Sequence, residues 1–465
     1  MWTAESLRDL LAVIGESQLV HGSAVNEDYG HDEALGLAPV LPEAVVYPAS
    51  TAEVAAIVEV ANRHRLPLTA RGSGTGLSGA CTPVTGGVVV CFERMNHILE
   101  IDSANHVAVV EPGVTLAQLE EATGPAGLVY PVFPGEISAS LGGNVATNAG
   151  GMRAVKYGVT RHQVLGLEAV LGTGEVIRCG GKFVKSTAGY DLTQLITGSE
   201  GTLALVTEAT LKLYPRLRFA ATVLAPFTTL PDVTAAVPRI VASGVGPLMV
   251  EYIDLMTMAA LVSNAGLELG VPTDIRDQAL AYLVVVLEDR REDRLAEDIE
   301  QMAEMITALG ALDVFVLPEH AGSSLIAARE KAFWMAKAAG ADDIVDVVVP
   351  RADIPLYMEE VAELAESTGS FVAGCGHAGD GNVHLSVYQP DAERREILVH
   401  GILAAGVRLG GAISGEHGIG TGKKMHLQAI EDPAKIDLWR RIKKAFDPLG
   451  ILNPGTIFDA APASA

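Results

Sequence analysis

The first apolar positions, Leu7, Leu10, Leu11 and Ile14, recur at helical spacing and predict an amphipathic helix at the start of the chain. Ser50-Thr51-Ala52-Glu53 then forms a capping box, and Val54, Ile57, Val58 and Ala61 supply the buried stripe of a helix that ends near Arg65. Short apolar runs from Leu66 to Ala70 and from Gly87 to Phe92 read as strands, with a glycine-dense loop between them. Up to about Pro215 glycine stays frequent and short strands alternate with loops. Beyond Arg216 the texture changes: strand Ala220 to Ala225, helix Val233 to Ala242, strand Leu248 to Ile253, strand Tyr282 to Leu287, helix Arg291 to Leu309. Strands and helices of these lengths predict an α+β layer in which helices cover one face of a sheet. The charge run Glu288-Asp289-Arg290-Arg291-Glu292-Asp293-Arg294 reads as a solvated helix entrance.

Length and charge narrow the function. A chain of 465 residues exceeds one ordinary core, and 49% hydrophobic against 19% charged residues is a globular balance. The net charge of -24 argues against nucleic acid or an anionic membrane as the main partner. Cys81, Cys91, Cys179 and Cys375 show no CxxC spacing, which fits a reducing compartment. No signal peptide and no apolar run long enough to span a bilayer are read from the chain, so a cytoplasmic location is expected, with a peripheral position on the inner face of the membrane as its variant.

Two segments carry the chemistry. Gly376-His377-Ala378-Gly379-Asp380-Gly381-Asn382-Val383-His384 and Ser414-Gly415-Glu416-His417-Gly418-Ile419-Gly420 place three of the chain's 12 histidines and one glutamate among glycines. His377, His384 and Glu416 make a three-ligand set that leaves a divalent metal with open positions, as a catalytic site requires. In an extended segment neighbours point to opposite faces, so Glu416 would hold the metal while His417 meets a substrate proton as general base. Two exposed glycine turns with unrelated histidines are the competing reading.

Three glycine-rich stretches precede these segments. Arg71-Gly72-Ser73-Gly74-Thr75-Gly76-Leu77-Ser78-Gly79 can turn backbone N–H groups toward one point, as a pyrophosphate needs. It runs into a strand and not a helix, so it is not a Rossmann loop. The second stretch, Pro134 to Gly151, holds Gly135, Ser138, Gly142, Gly143, Asn144, Thr147, Asn148 and Gly150. The third contains Lys185-Ser186-Thr187-Ala188-Gly189-Tyr190-Asp191-Leu192 and Gly198-Ser199-Glu200-Gly201-Thr202-Leu203 and continues to Val206.

In this order the three stretches resemble the FAD-binding domain of the vanillyl-alcohol oxidase and p-cresol methylhydroxylase superfamily. With His377, His384, Glu416 and His417 the resemblance narrows to the branch of D-lactate dehydrogenases, the glycolate oxidase flavin subunit and D-2-hydroxyglutarate dehydrogenases. It runs from about Pro42 to Phe458. The fold it implies is α+β: an N-terminal helical segment (1–37), a PCMH-type FAD-binding domain (38–217), a cap or substrate domain carrying the metal site (218–425), and a C-terminal segment packing back on the FAD domain (426–465).

The resemblance further implies FAD contacts from the three stretches, from Tyr157 and Gly158 beyond the second, and from Asn453 in the closing Phe446 to Gly455 segment. It places a carboxylate-gripping arginine at Arg329, for which a helical surface residue is the alternative, and gives Asn382 a part in fixing the acid. Where the hydroxyglutarate group carries a basic residue, this chain has Ile344, which argues against a dicarboxylate. The implied activity is FAD- and metal-dependent oxidation of a small D-2-hydroxy acid of the D-lactate or glycolate class. Electrons would pass to a quinone, a cytochrome or an electron-transfer flavoprotein. Zinc suits the His, His, Glu set, with manganese and iron as alternatives. The FAD is expected to be non-covalent, although His162 leaves attachment open. The oligomer is left between a homodimer and a subunit of a larger assembly. A glycolate oxidase flavin subunit, a D-2-hydroxyglutarate dehydrogenase, an alkyl-transferring flavoenzyme and a metal hydrolase with structural glycine loops are the rival readings.

Overall fold

The structure, a computed structural model, describes residues 2–459; the end of the expected C-terminal segment lies outside them. The N-terminal helix spans Ala4–Ile14 and is capped by Thr3, and Leu10 and Ile14 enter the core as its spacing predicts. The second helix is Thr51–His64, with the Ser50 hydroxyl accepting from Glu53 N and Arg65 in the left-handed region at its end. This helix connects the strands Ala44–Val46 and Leu68–Arg71, which lie on either side of Val88–Cys91 and run parallel to it. The glycine loop therefore leaves the end of Leu68–Arg71 and returns to the sheet through Val88–Cys91, and no helix follows it.

A five-stranded antiparallel sheet completes the N-terminal half, ordered Ile98–Asp102, Val107–Val110, Ala204–Lys212, Val164–Leu171, Val176–Gly180. The chain's end comes back to this half. Asn453 N donates to Leu68 O at 2.7 Å, and Leu452 is fully buried in the same core as Leu66 and Leu68.

The largest sheet has seven antiparallel strands: Phe315–Leu317, Phe219–Phe227, Ala281–Asp289, Met249–Asp254, Phe371–His377, Asn382–Tyr388 and Asp343–Val348. Helices cover both of its faces, where one face was expected. Val223, Ala225 and Phe227 pack with the helices Leu230–Ala242 and Glu292–Ala308, whereas Leu224, Tyr282 and Val284 pack with Leu255–Ala265 and Glu319–Glu330. The unbroken apolar run Tyr282 to Leu287 is the sign of this, because a strand buried on both faces loses its polar alternation.

The charge run is solvated at Arg291 and Asp293. Glu288, at its start, is instead drawn against the N-terminal half, where it accepts from Lys156 Nζ at 3.0 Å and from the Tyr157 hydroxyl at 2.9 Å.

Candidate active site

His377 ends the strand Phe371–His377, and His384 lies on the neighbouring strand Asn382–Tyr388. Gly381, with φ at +90°, makes the tight turn between them. Hairpin register pairs His377 with Asn382 and Cys375 with His384, so both imidazoles rise from one face of the sheet. Glu416 arrives from a distant loop. Its Oε1 lies 3.3 Å from His377 Nε2 and 3.2 Å from His384 Nε2, and one ligand atom from each of the three residues falls within 4.8 Å of the others. The second carboxylate oxygen of Glu416 is buried without a hydrogen-bond partner. A divalent cation fits this donor set, which offers two nitrogens and a carboxylate of the kind zinc, manganese and iron accept.

Two residues not singled out from the sequence hold this cluster. Glu251, fully buried, accepts from His377 Nδ1 at 2.8 Å, which leaves His377 Nε2 to face Glu416. Burial works against the imidazolium of His377, but Glu251 and Glu416 together outweigh it and raise the pKa to about 10. Asp346, also fully buried, accepts through Oδ2 from the backbone N–H groups of Gly415, Glu416 and His417 at 2.8, 2.7 and 3.1 Å. Its other oxygen takes Lys423 Nζ and the Ser414 hydroxyl. Burial alone would raise the Asp346 pKa; His417 and Lys423 prevail and hold it well below the usual carboxylate range. Each of these acids stands alone in an apolar strand, Leu248 to Ile253 and Ile344 to Val349. That isolation is the available sequence signal, since a carboxylate is rarely buried without partners.

Convergence of three consecutive N–H groups on one oxygen bends the Gly415 to His417 segment, so it is not the extended stretch expected. The side chains of Glu416 and His417 consequently reach the same two cavities instead of opposite faces. His417 stacks at 5.1 Å from the His384 ring, with Nδ1 3.4 Å from Asp346 Oδ1. Burial, only partly offset by Asp346, lowers its pKa to about 4, so the ring is neutral at pH 7 and able to take a proton.

Arg329 is buried at the end of the helix Glu319–Glu330, which excludes the surface reading, and its Nη2 lies 3.1 Å from Glu251 Oε2. It lines the cavity beside His377, His384 and Glu416. Asn382 does not line this cavity; its side chain lies 3.5 Å from His384 Nε2 and packs against Gly415.

The first cavity joins the second at Leu77, Pro134, Glu416 and His417. Arg71, Gly72, Ser73, Gly74, Thr75, Gly76 and Leu77 form one wall, Gly142, Gly143, Asn144 and Thr147 another, and Glu200, Gly201 and Val206 a third. A Cβ at Gly74, whose φ is +74°, would sit 2.1 Å from an Arg71 guanidinium nitrogen, so the loop is closed to side chains here. Asp32, also missed in the sequence, lines the cavity and accepts from Gly79 N at 3.1 Å.

The remaining expected cofactor residues stand behind these walls. Ser138 accepts the Ser73 hydroxyl through its carbonyl, and the Asn148 side chain accepts from Arg161 N. Gly150 abuts Glu416, a Cβ at Gly151 would strike Phe133 O, and Ser78 O accepts from Gly422 N. Gly135 lines the second cavity. Tyr157 lies toward the seven-stranded sheet, Gly158 lies beside the His162 ring, and the Asn453 amide donates to Ala80 O and Glu200 O. Glu200 turns its carboxylate to Ile419 N and Gly420 N at 2.9 and 2.7 Å, joining the first-cavity wall to the loop that carries Glu416 and His417. His162 is exposed, and its Nδ1 accepts from Val159 N.

Two family models match the chain. Residues 42–180 match the family described as FAD binding domain, and residues 216–457 match FAD linked oxidases, C-terminal domain. An uncharacterised FAD-linked oxidoreductase of Mycobacterium tuberculosis is 56% identical over 96% of this chain and 97% of its own length. A D-lactate dehydrogenase of Anaerostipes hadrus is 36% identical over 96% and 95%. The fold is shared with p-cresol methylhydroxylase crystallised with substrate bound, at a TM-score of 0.81 and 18% identity, covering 98% of this chain and 96% of that one.

Proposed function

The chain belongs to the FAD-linked oxidases, and from that premise we propose that it oxidises a D-2-hydroxy acid to the 2-oxo acid with FAD and a divalent metal. The observation that carries this reading is the meeting of His377, His384, Glu416 and His417 where the two cavities join. FAD would lie in the first cavity, held non-covalently by the glycine loop and the Gly142 to Thr147 helix turn. His377, His384 and Glu416 would hold the metal. When bound, the flavin supplies a hydride acceptor and the metal a Lewis acid that lowers the pKa of the substrate hydroxyl.

The chain's own residues do the rest. Arg329 faces the acid's carboxylate from the cavity wall, and its pairing with Glu251 fixes the guanidinium in place. His417, neutral and within the same wall, takes the hydroxyl proton on Nε2 while Asp346 faces its Nδ1 and stabilises the imidazolium. Glu200 and Asp346 fix both ends of the Ser414 to Gly420 loop, so the base cannot drift from the junction.

Anaerobic titration tests the reading. Purified protein should show flavin absorbance that a D-2-hydroxy acid bleaches and its L-enantiomer does not. Flavin that no 2-hydroxy acid reduces, in metal-replete protein, would remove this function.

A further inference from the structure

The second cavity, of about 300 Å³, continues past the His377, His384 and Glu416 cluster. Strand register lays out its floor. Asp346, His384 and Cys375 form the inner row; the next row outward is Ile344, Ser386 and Ala373; beyond it Tyr388 pairs with Phe371, their rings 5.5 Å apart. Each row on one face lies about 7 Å from the last. Met256 and Ala260 from the helix Leu255–Ala265, with Met335 and Ala336 from the helix Ala332–Ala338, close the channel from the other side. Phe371 and Met256 are 48% and 56% exposed and mark its mouth.

Charge is confined to the inner end. Apart from Glu416 and the imidazoles, the acidic and basic side chains of this lining are Arg329 and Glu330, and Arg329 already faces Glu251. The outer rows offer methyl, thioether and aromatic surface with neutral Ser386 and Tyr388. A distal carboxylate would find no cation there. A molecule as small as lactate would leave the Ile344 row in water.

From this geometry we infer that the preferred substrate is a 2-hydroxy acid with an unbranched or branched apolar tail, long enough to cover the row of Ile344, Ser386 and Ala373. This rests on the hydroxy-acid reading above. Spanning from one row to the next takes roughly four carbons beyond the reacting one at the ~7 Å row spacing.

Stopped-flow flavin reduction of the holoenzyme by D-lactate, D-2-hydroxybutyrate, D-2-hydroxypentanoate, D-2-hydroxyhexanoate and D-2-hydroxyglutarate provides the test. The second-order rate constant should rise about fourfold per added methylene, the effect of burying one CH₂. D-2-hydroxyglutarate should fall at least tenfold below D-2-hydroxypentanoate, which has the same carbon count. In Ile344→Lys that ratio should move at least tenfold toward the dicarboxylate. Bleaching by every acid with lactate fastest would overturn the tail inference and leave the function standing. An unchanged ratio in Ile344→Lys would likewise show that the tail does not cross this row. No bleaching by any acid would remove the function and this inference together.

Discussion

Glu251 and His377 are 126 positions apart in sequence, yet Glu251 Oε1 accepts from His377 Nδ1 at 2.8 Å in the core of the seven-stranded sheet. The same carboxylate faces Arg329 through its other oxygen. One buried acid thus fixes the tautomer of a candidate metal ligand and the position of the guanidinium expected to grip the substrate.

Glu251→Gln should weaken metal binding by about 10- to 100-fold, the usual effect of losing a carboxylate behind a ligating histidine. Metal content after dialysis against a graded chelator would report it, with flavin absorbance unchanged. Metal retained at the wild-type chelator concentration would mean that Glu251 does not support the site.

Removal of the ligands themselves separates metal from flavin. His377→Ala, His384→Ala and Glu416→Ala should each abolish flavin reduction by a hydroxy acid while FAD stays bound, because the two histidines do not line the first cavity and Glu416 meets it only at its junction with the second. Undiminished turnover of wild-type protein stripped of metal would refute a catalytic metal.

His417→Ala should retain both metal and flavin and slow flavin reduction by on the order of a hundredfold or more, as for loss of a general base. If this variant instead loses the metal while Glu416→Ala keeps it, the two neighbours have exchanged roles.

Gly74→Ala addresses the flavin cavity. The added methyl would displace the Arg71 guanidinium and would force a left-handed φ on a residue with a Cβ. FAD affinity measured by fluorescence of released flavin should fall at least tenfold, with the protein still folded by circular dichroism. Wild-type affinity would show that the loop does not close on the cofactor.

Glu200 gives a pH dependence of stability. Burial, only partly offset by Ile419 N and Gly420 N, raises its carboxyl to about 7 from an ordinary value of 4.5. Between those pH values the folded state holds a proton that the unfolded state has released, so stability contributed by this group is present below pH 4.5 and is lost as pH rises to about 7. Above that both states are ionised and the contribution is constant. The Tm of wild type should therefore fall relative to that of Glu200→Gln between pH 5 and 7, whatever the offset between them. Parallel Tm profiles across that range would contradict the raised pKa.

Much of this protein was legible in its sequence because the signals were local. Ser50 to Ala61 encodes a capped helix by spacing alone, and glycine density at Arg71 to Gly79 marks backbone that must turn where side chains would collide. His377 and His384 are near neighbours across a tight hairpin, so their meeting is nearly implied by seven residues of sequence. The sheet's second layer of helices was missed although its sign was present: the unbroken apolar run Tyr282 to Leu287 lacks the polar alternation of a strand covered on one face only.

The sequence by itself determined the residue types of the site, the glycine-rich loop beside it and the helices and strands that present them, since each follows from propensity and period within a few turns of chain. Tertiary structure alone decided which distant groups complete it. Glu251, Asp346 and Glu200 act across 126, 71 and 220 positions on His377, His417 and Gly420. Contacts of that separation depend on strand order and register, which no local pattern specifies. The bend at Glu416 and His417 belongs to the same class: an extended segment was the local preference, and a buried carboxylate with three N–H groups to satisfy overrode it.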